Sequence, residues 1–194
     1  MGNMMGGTNC VSAGVKFSSF IYWMMRGGVK YMDIYLASDI NNSIIESLTD
    51  GTGIRLVIFT CGCIHHCPEC QNPKSWDIKN GVRIPVVKVA NYIIKKLYEG
   101  DFDGITLSGG DPLYQSDAIL ELLVILKNKI KSLNIWCYTG YLYEEVKNLK
   151  AIKYIDTLVD GPFEKDKKFP KKKFRGSWNQ RILHLSNGSV VMEE

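Results

Sequence analysis

The chain has no apolar run fit to cross a bilayer. Phe17–Met25 is apolar over only nine residues, where a transmembrane helix needs about 20. It also lacks the basic start and small-residue cleavage site of a secretion signal, so no membrane role is expected. A disulfide framework is missing as well. The six cysteines are unevenly clustered, and a 194-residue chain that is 45% hydrophobic can bury a core without staples. Free thiols then fit a reducing cytoplasm. No recognised nucleic-acid-binding motif accompanies the net charge of +4, which argues against a nucleic-acid partner. No catalytic triad or acid–base dyad is present either.

What remains reads as one globular domain with a dissimilar start. Met1–Gly14 is rich in Gly, Met, Ser and Asn without periodicity, and an orderly sequence opens at Met32. Residues 1–31 are therefore expected to be an N-terminal extension or an early start, and 32–194 the working domain. Cys10 and Cys137 read as ordinary thiols, Cys137 inside the apolar run Ile135–Tyr138.

The chemistry concentrates in Cys63-Ile-His-His-Cys67-Pro-Glu-Cys70, a C-x3-C-x2-C spacing directly after a strand-like stretch. A closed zinc site wants four protein ligands, and a four-iron electron carrier likewise wants four cysteines. Three thiolates on one loop suit a four-iron cluster with one iron left open to a small molecule. Cys61 keeps the alternatives alive: with it, the set becomes four, and a zinc site or a fully ligated cluster follows. The one-residue gap between Cys61 and Cys63 is tight for a zinc knuckle. Were the strand to run on through Cys61, both thiols would lie on the same side. His65 and His66 read as solvated loop residues rather than ligands.

Periodicity supplies the scaffold. Strands are expected at Ile54–Thr60, Asp103–Leu107, Asn134–Tyr138 and Ile155–Val159, and helices at Val86–Tyr98, Asp117–Leu133 and Tyr143–Leu149. Alternating strands and helices imply an α/β fold with a mostly parallel sheet. The units are too few for a full eight-stranded barrel, so a partial, open β/α barrel is expected. In such sheets ligands lie beyond the carboxyl ends of the strands. The cysteine loop, Ser108–Asp111, Thr139-Gly140 and Asp160-Gly161 all fall there.

Other segments are weaker alone. Gly109-Gly110-Asp111 lets a ligand approach the backbone and offers a carboxylate to an ammonium group. Asp50–Gly53 reads as a hairpin-type turn, and Arg55 in a buried run is expected to pair with an acid or anion. Lys165, Lys167, Lys168, Lys171, Lys172, Lys173 and Arg175 crowd one loop, either a solvated surface or a docking patch for an acidic partner.

Together these segments resemble the radical S-adenosylmethionine enzymes, and within them the small glycyl-radical activases of the anaerobic ribonucleotide reductase. The resemblance rests on Asp50-Gly51-Thr52-Gly53-Ile54-Arg55, the three cysteines with Gln71-Asn72, Leu107–Leu113, Tyr138–Tyr141, Asp160–Glu164 and Phe174–Arg181. It covers about Met32 to Leu185. Two residues depart from the pattern: Glu69 stands where many members carry an aromatic residue before the third cysteine, and Cys61 is extra.

The resemblance implies a [4Fe–4S] cluster on Cys63, Cys67 and Cys70, with S-adenosylmethionine on the open iron. It places Gly109, Gly110 and Asp111 at the methionine amino group and Thr139 among the cofactor-binding residues. It implies an oxidoreductase that generates a glycyl radical on its partner. That partner would be the large subunit of the anaerobic ribonucleoside-triphosphate reductase, with flavodoxin or ferredoxin as electron donor. An activase of another glycyl-radical enzyme, such as pyruvate formate-lyase, and a non-catalytic zinc or iron–sulfur interaction module are the competing expectations.

Overall fold

The computed structural model describes residues 31–168 and 173–194. The extension expected at 1–31, with Cys10, falls outside the described residues apart from Tyr31, and so do Lys171 and Lys172. The described chain opens with β1 (Asp33–Leu36), a short helix α1 (Ile40–Ser43), β2 (Ile44–Ser47), β3 (Arg55–Thr60) and β4 (Val82–Pro85). Helix α2 (Val86–Glu99) leads into β5 (Gly104–Gly109), and α3 (Ser116–Lys129) into β6 (Ile135–Tyr138). Then come α4 (Tyr143–Val146), β7 (Thr157–Asp160) and the closing pair β8 (Arg181–Ser186) and β9 (Ser189–Glu193).

One nine-stranded sheet results, in the order β4-β1-β3-β5-β6-β7-β8-β9, with β2 beside β3. The four strands expected from the apolar runs form its middle, and they are parallel. The margins overturn the expectation of a mostly parallel sheet. Three strand pairings are parallel, but five are antiparallel, so the sheet is mostly antiparallel by count. Parallel neighbours need a long crossover, which α2 and α3 supply; antiparallel neighbours need only a turn. The marginal strands are short and half exposed, with every residue of β9 exposed, so nothing in their apolar pattern announces them.

Each face of the sheet has its own contents, as the two-residue period of a strand requires. Leu56, Ile58, Ile105, Leu107, Ile135 and Cys137 pack under the apolar stripes of the helices, Val89, Ala90 and Ile93 of α2 and Ile119, Leu122, Leu123 and Leu126 of α3. The other face carries a small cluster of Trp136, Val159 and Ile182, with Tyr138 and Phe174 against it.

Arg55 lies at the amino end of β3, 1% exposed. It does not pair with an acid, as expected of a buried arginine. Its guanidinium donates to Thr106 Oγ1 at 3.0 Å and Asn134 Oδ1 at 2.8 Å, to the carbonyls of Asn134 and Thr52, and to that of Ile105. The Trp136 ring lies 5.6 Å from it. Neutral oxygens satisfy the charge because the strand ends present several at once. Burial lowers the Arg55 pKa to about 10, opposed by the charges of Asp103 and Asp156, so it stays cationic at neutral pH.

Candidate cluster and ligand site

The carboxyl ends of β3, β5, β6 and β7 stop level with one another, and each runs straight into a loop with glycine or cysteine. Those loops enclose a cavity of about 380 Å³. Cys63, Cys67 and Cys70 line one side of it. Ser108, Gly109 and Gly110 lie along the middle with Thr139 and Gly140, and Phe163, Lys168, Arg175 and Gln180 close the far side. The structure thus brings together three thiols and most of the residues singled out from sequence.

The cysteine loop is stitched in by main-chain bonds. Gly62 N–H donates to Ser75 O at 2.7 Å, Cys63 N–H to Trp76 O at 2.9 Å, and Asp111 N–H back to Gly62 O at 2.8 Å. His66 and Glu69 take positive φ angles of 45° and 58°, which wrap the loop on itself. Gly109 is needed as glycine. Its φ is +108°, and a Cβ there would lie 2.4 Å from the backbone N and O of Thr60.

The donor set fits an iron–sulfur cluster. The backbone N–H of Asn72 donates to the Cys70 sulfur at 3.3 Å; such bonds stabilise thiolate ligands. Burial nevertheless raises the Cys63 pKa, with Asp111 adding to it, so a bound metal must supply the charge that draws off the proton. Among the described residues, no group of three His, Cys, Asp or Glu side chains stands close enough to hold a single metal ion. A cluster places each thiolate on a different iron, so its ligands stand wider apart than those of one tetrahedral zinc.

Cys61 does not join the three. β3 ends at Thr60, and the Cys61 thiol, 1% exposed, donates to Asp77 O at 3.2 Å under the Ser75–Asp77 segment. Burial raises its pKa. Cys137 is buried in the core, as expected.

The two histidines differ: His66 is an exposed loop residue, as expected, and His65 is half-buried. His66 packs on the Trp76 ring, centroids 4.8 Å apart. His65 Nε2 meets Asp111 Oδ2 at 2.9 Å, and its ring meets Tyr141 edge-on at 4.5 Å. Asp111 itself is buried, and also accepts from Thr139 Oγ1, the Gly140 N–H and the Leu113 N–H. One carboxylate therefore ties together the loops after β3, β5 and β6. Sequence reasoning missed this because His65 and Asp111 are 46 residues apart, and no local pattern encodes such a contact.

The basic loop is partly neutralised. Lys165 pairs with Glu69 of the cysteine loop, and Lys167 with Glu164. Arg175 Nη1 donates to the carbonyls of Gln180 and Glu194. Lys168 lines the cavity. Tyr138, whose hydroxyl donates to Phe174 O at 2.9 Å, holds the return of this loop over the sheet.

Residues 49–183 match the family described as a 4Fe-4S single cluster domain. The chain is 37% identical over 142 residues to the anaerobic ribonucleoside-triphosphate reductase-activating protein of Enterobacteria phage T4, covering 72% of this chain and 89% of that one. It is 36% identical over 145 residues to the protein of that name from Escherichia coli K12, with 71% and 93% covered. The Haemophilus influenzae counterpart is 38% identical over 141 residues, with 70% and 90% covered. With three cysteines lining one cavity at the strand ends and matches of this extent, the chain belongs to the family of anaerobic ribonucleoside-triphosphate reductase-activating proteins, which carry a single 4Fe-4S cluster domain.

Proposed function

We propose that the chain is a radical S-adenosylmethionine activase that generates a glycyl radical on the anaerobic ribonucleoside-triphosphate reductase. The observation that carries this reading is the shared cavity: Cys63, Cys67 and Cys70 face the Gly109-Gly110 turn across it, and Cys61 is turned away. When bound, a reduced four-iron cluster supplies the electron that splits a sulfonium–carbon bond of S-adenosylmethionine, giving methionine and a 5′-deoxyadenosyl radical that takes hydrogen from a glycine α-carbon.

The chain's own residues bind and orient. Cys63, Cys67 and Cys70 would hold the cluster, whose open iron would take the ligand's amino and carboxylate groups. Gly109 and Gly110 let the ligand lie against bare backbone, and Asp111, fixed by Thr139, accepts from the N–H of its amino group. In this reading the four parallel strands are the arc of a partial β/α barrel of the radical S-adenosylmethionine type. Residues 32–194 form the activase domain, preceded by an extension at 1–31. The working compartment is the cytoplasm, and a flavodoxin- or ferredoxin-type donor supplies the electron. No helix among the described residues is long and apolar enough to cross a membrane.

Electron paramagnetic resonance of the anaerobically reconstituted, reduced protein tests the reading. A [4Fe–4S]⁺ signal that changes on adding S-adenosylmethionine is the expected result. An indifferent signal would make the protein an electron carrier, and zinc without iron after native purification would make it an interaction module.

A further inference from the structure

Asp111 is 1% exposed, and its carboxylate is fully engaged. Oδ1 accepts from the Leu113 N–H and Thr139 Oγ1, both at 3.0 Å. Oδ2 accepts from the Gly140 N–H at 2.9 Å, stands 2.9 Å from the Thr139 hydroxyl, and faces His65 Nε2 at 2.9 Å. A carboxylate has about four lone-pair positions, and four donor groups fill them. An incoming amino group therefore has no free position on Asp111. One of the four donors must leave.

Two of them are main-chain N–H groups fixed by the turns that carry them. The third, Thr139, is buried, and its hydroxyl oxygen also accepts from the Tyr141 N–H at 3.2 Å. His65 differs on each count. It is held by its side chain alone, keeps 15% side-chain exposure, and lines the cavity beside Cys63 and Cys67. Its seat exists only because residue 140 is glycine: a Cβ there would lie 2.4 Å from the imidazole Cδ2. Leaving costs the ring its edge contact with Tyr141. In exchange Asp111 would gain the N–H donors of an amino group whose nitrogen binds the open iron, and bonds from a donor polarised by positive charge are the stronger kind.

We propose that His65 is a placeholder on Asp111, displaced by the amino group of S-adenosylmethionine when that ligand binds. The inference rests on the reading above, in which Asp111 is the acceptor for that group. His65 is then a positioning residue: it keeps the buried carboxylate satisfied and the three strand-end loops in register until the ligand takes its place. The measured affinity for the ligand is lowered by the fraction of molecules in which His65 occupies Asp111.

The test compares His65→Phe, which keeps an aromatic ring against Tyr141 but has no N–H, with His65→Gln, which keeps a donor. The readouts are the dissociation constant for S-adenosylmethionine, from the change in the reduced cluster's paramagnetic signal, and the iron and sulfide content. His65→Phe is expected to bind the ligand about three- to tenfold more tightly, and His65→Gln to stay within about twofold of the natural protein. Weaker or unchanged binding by His65→Phe would overturn the placeholder. So would loss of the cluster from both variants, since a side chain made to leave cannot be required for the cluster. Asp111→Asn separates this inference from the reading it rests on. Unchanged ligand affinity in Asp111→Asn would remove Asp111 as the acceptor for the ligand's amino group. Weakened affinity there, with no gain from His65→Phe in the natural background, would remove only the placeholder.

Discussion

Cys61 and Cys63 leave β3 one residue apart and meet different surroundings. Cys61 points under the Ser75–Asp77 segment, where burial holds its thiol protonated and Asp77 O takes its proton in a hydrogen bond. Cys63 opens on the cavity beside Cys67 and Cys70. Cys61→Ser is therefore expected to keep the full iron and sulfide content after reconstitution, whereas Cys63→Ser, Cys67→Ser or Cys70→Ser loses it. Iron loss in the Cys61 variant would show that the fourth thiol is a ligand after all. The choice between three ligands and four was open in the spacing, because a C-x-C gap places two thiols near each other whichever way the second turns. The backbone path after Thr60 turns the Cys61 thiol toward Asp77 O and leaves the other three lining the cavity.

At the scale of elements, Arg55 joins three strands of the parallel core. Its donors reach Thr106 and Ile105 on β5 and Asn134 just before β6. Arg55→Met removes these bonds and leaves several buried oxygens without donors, at an expected cost of about 2–4 kcal/mol in urea unfolding. Arg55→Lys is expected to recover only part of this, because an ammonium lacks the planar fork that spans both strands. A change below about 1 kcal/mol in Arg55→Met would mean the bonds hold nothing together. The elements themselves were unevenly legible. The strand expected at Ile54–Thr60 is Arg55–Thr60 and the helix expected at Val86–Tyr98 is Val86–Glu99, because both bury a continuous or periodic apolar set. The helix expected at Asp117–Leu133 stops at Lys129, since Ile130 takes an extended conformation that ends the ladder. β1, β2, β4, β8 and β9 escaped notice. Their pairing comes from hairpins and edge contacts rather than from composition.

At the scale of the molecule, the mouth of the cavity lies beside the basic loop, and only some of its charge is free to meet a partner. Lys165 and Lys167 are engaged with Glu69 and Glu164, while Lys168 lines the cavity and Lys173 is exposed. In the proposed activase, reversing Lys168 and Lys173 to Glu is expected to raise the reductase concentration needed for half-activation about three- to tenfold at low ionic strength, and less at high salt. Iron content should not change. Equal activation at limiting reductase would reject a docking role for this loop. The sequence by itself determined the parallel core and the loops at its carboxyl edge, since buried apolar runs, helical periodicity and cysteine spacing are local properties of the chain. Only the tertiary structure decided that antiparallel strands outnumber the parallel ones, that Cys61 turns away, and that His65 closes on Asp111. These depend on residues far apart in the chain, and the identity of a partner across a fold leaves no mark in the residues next to it.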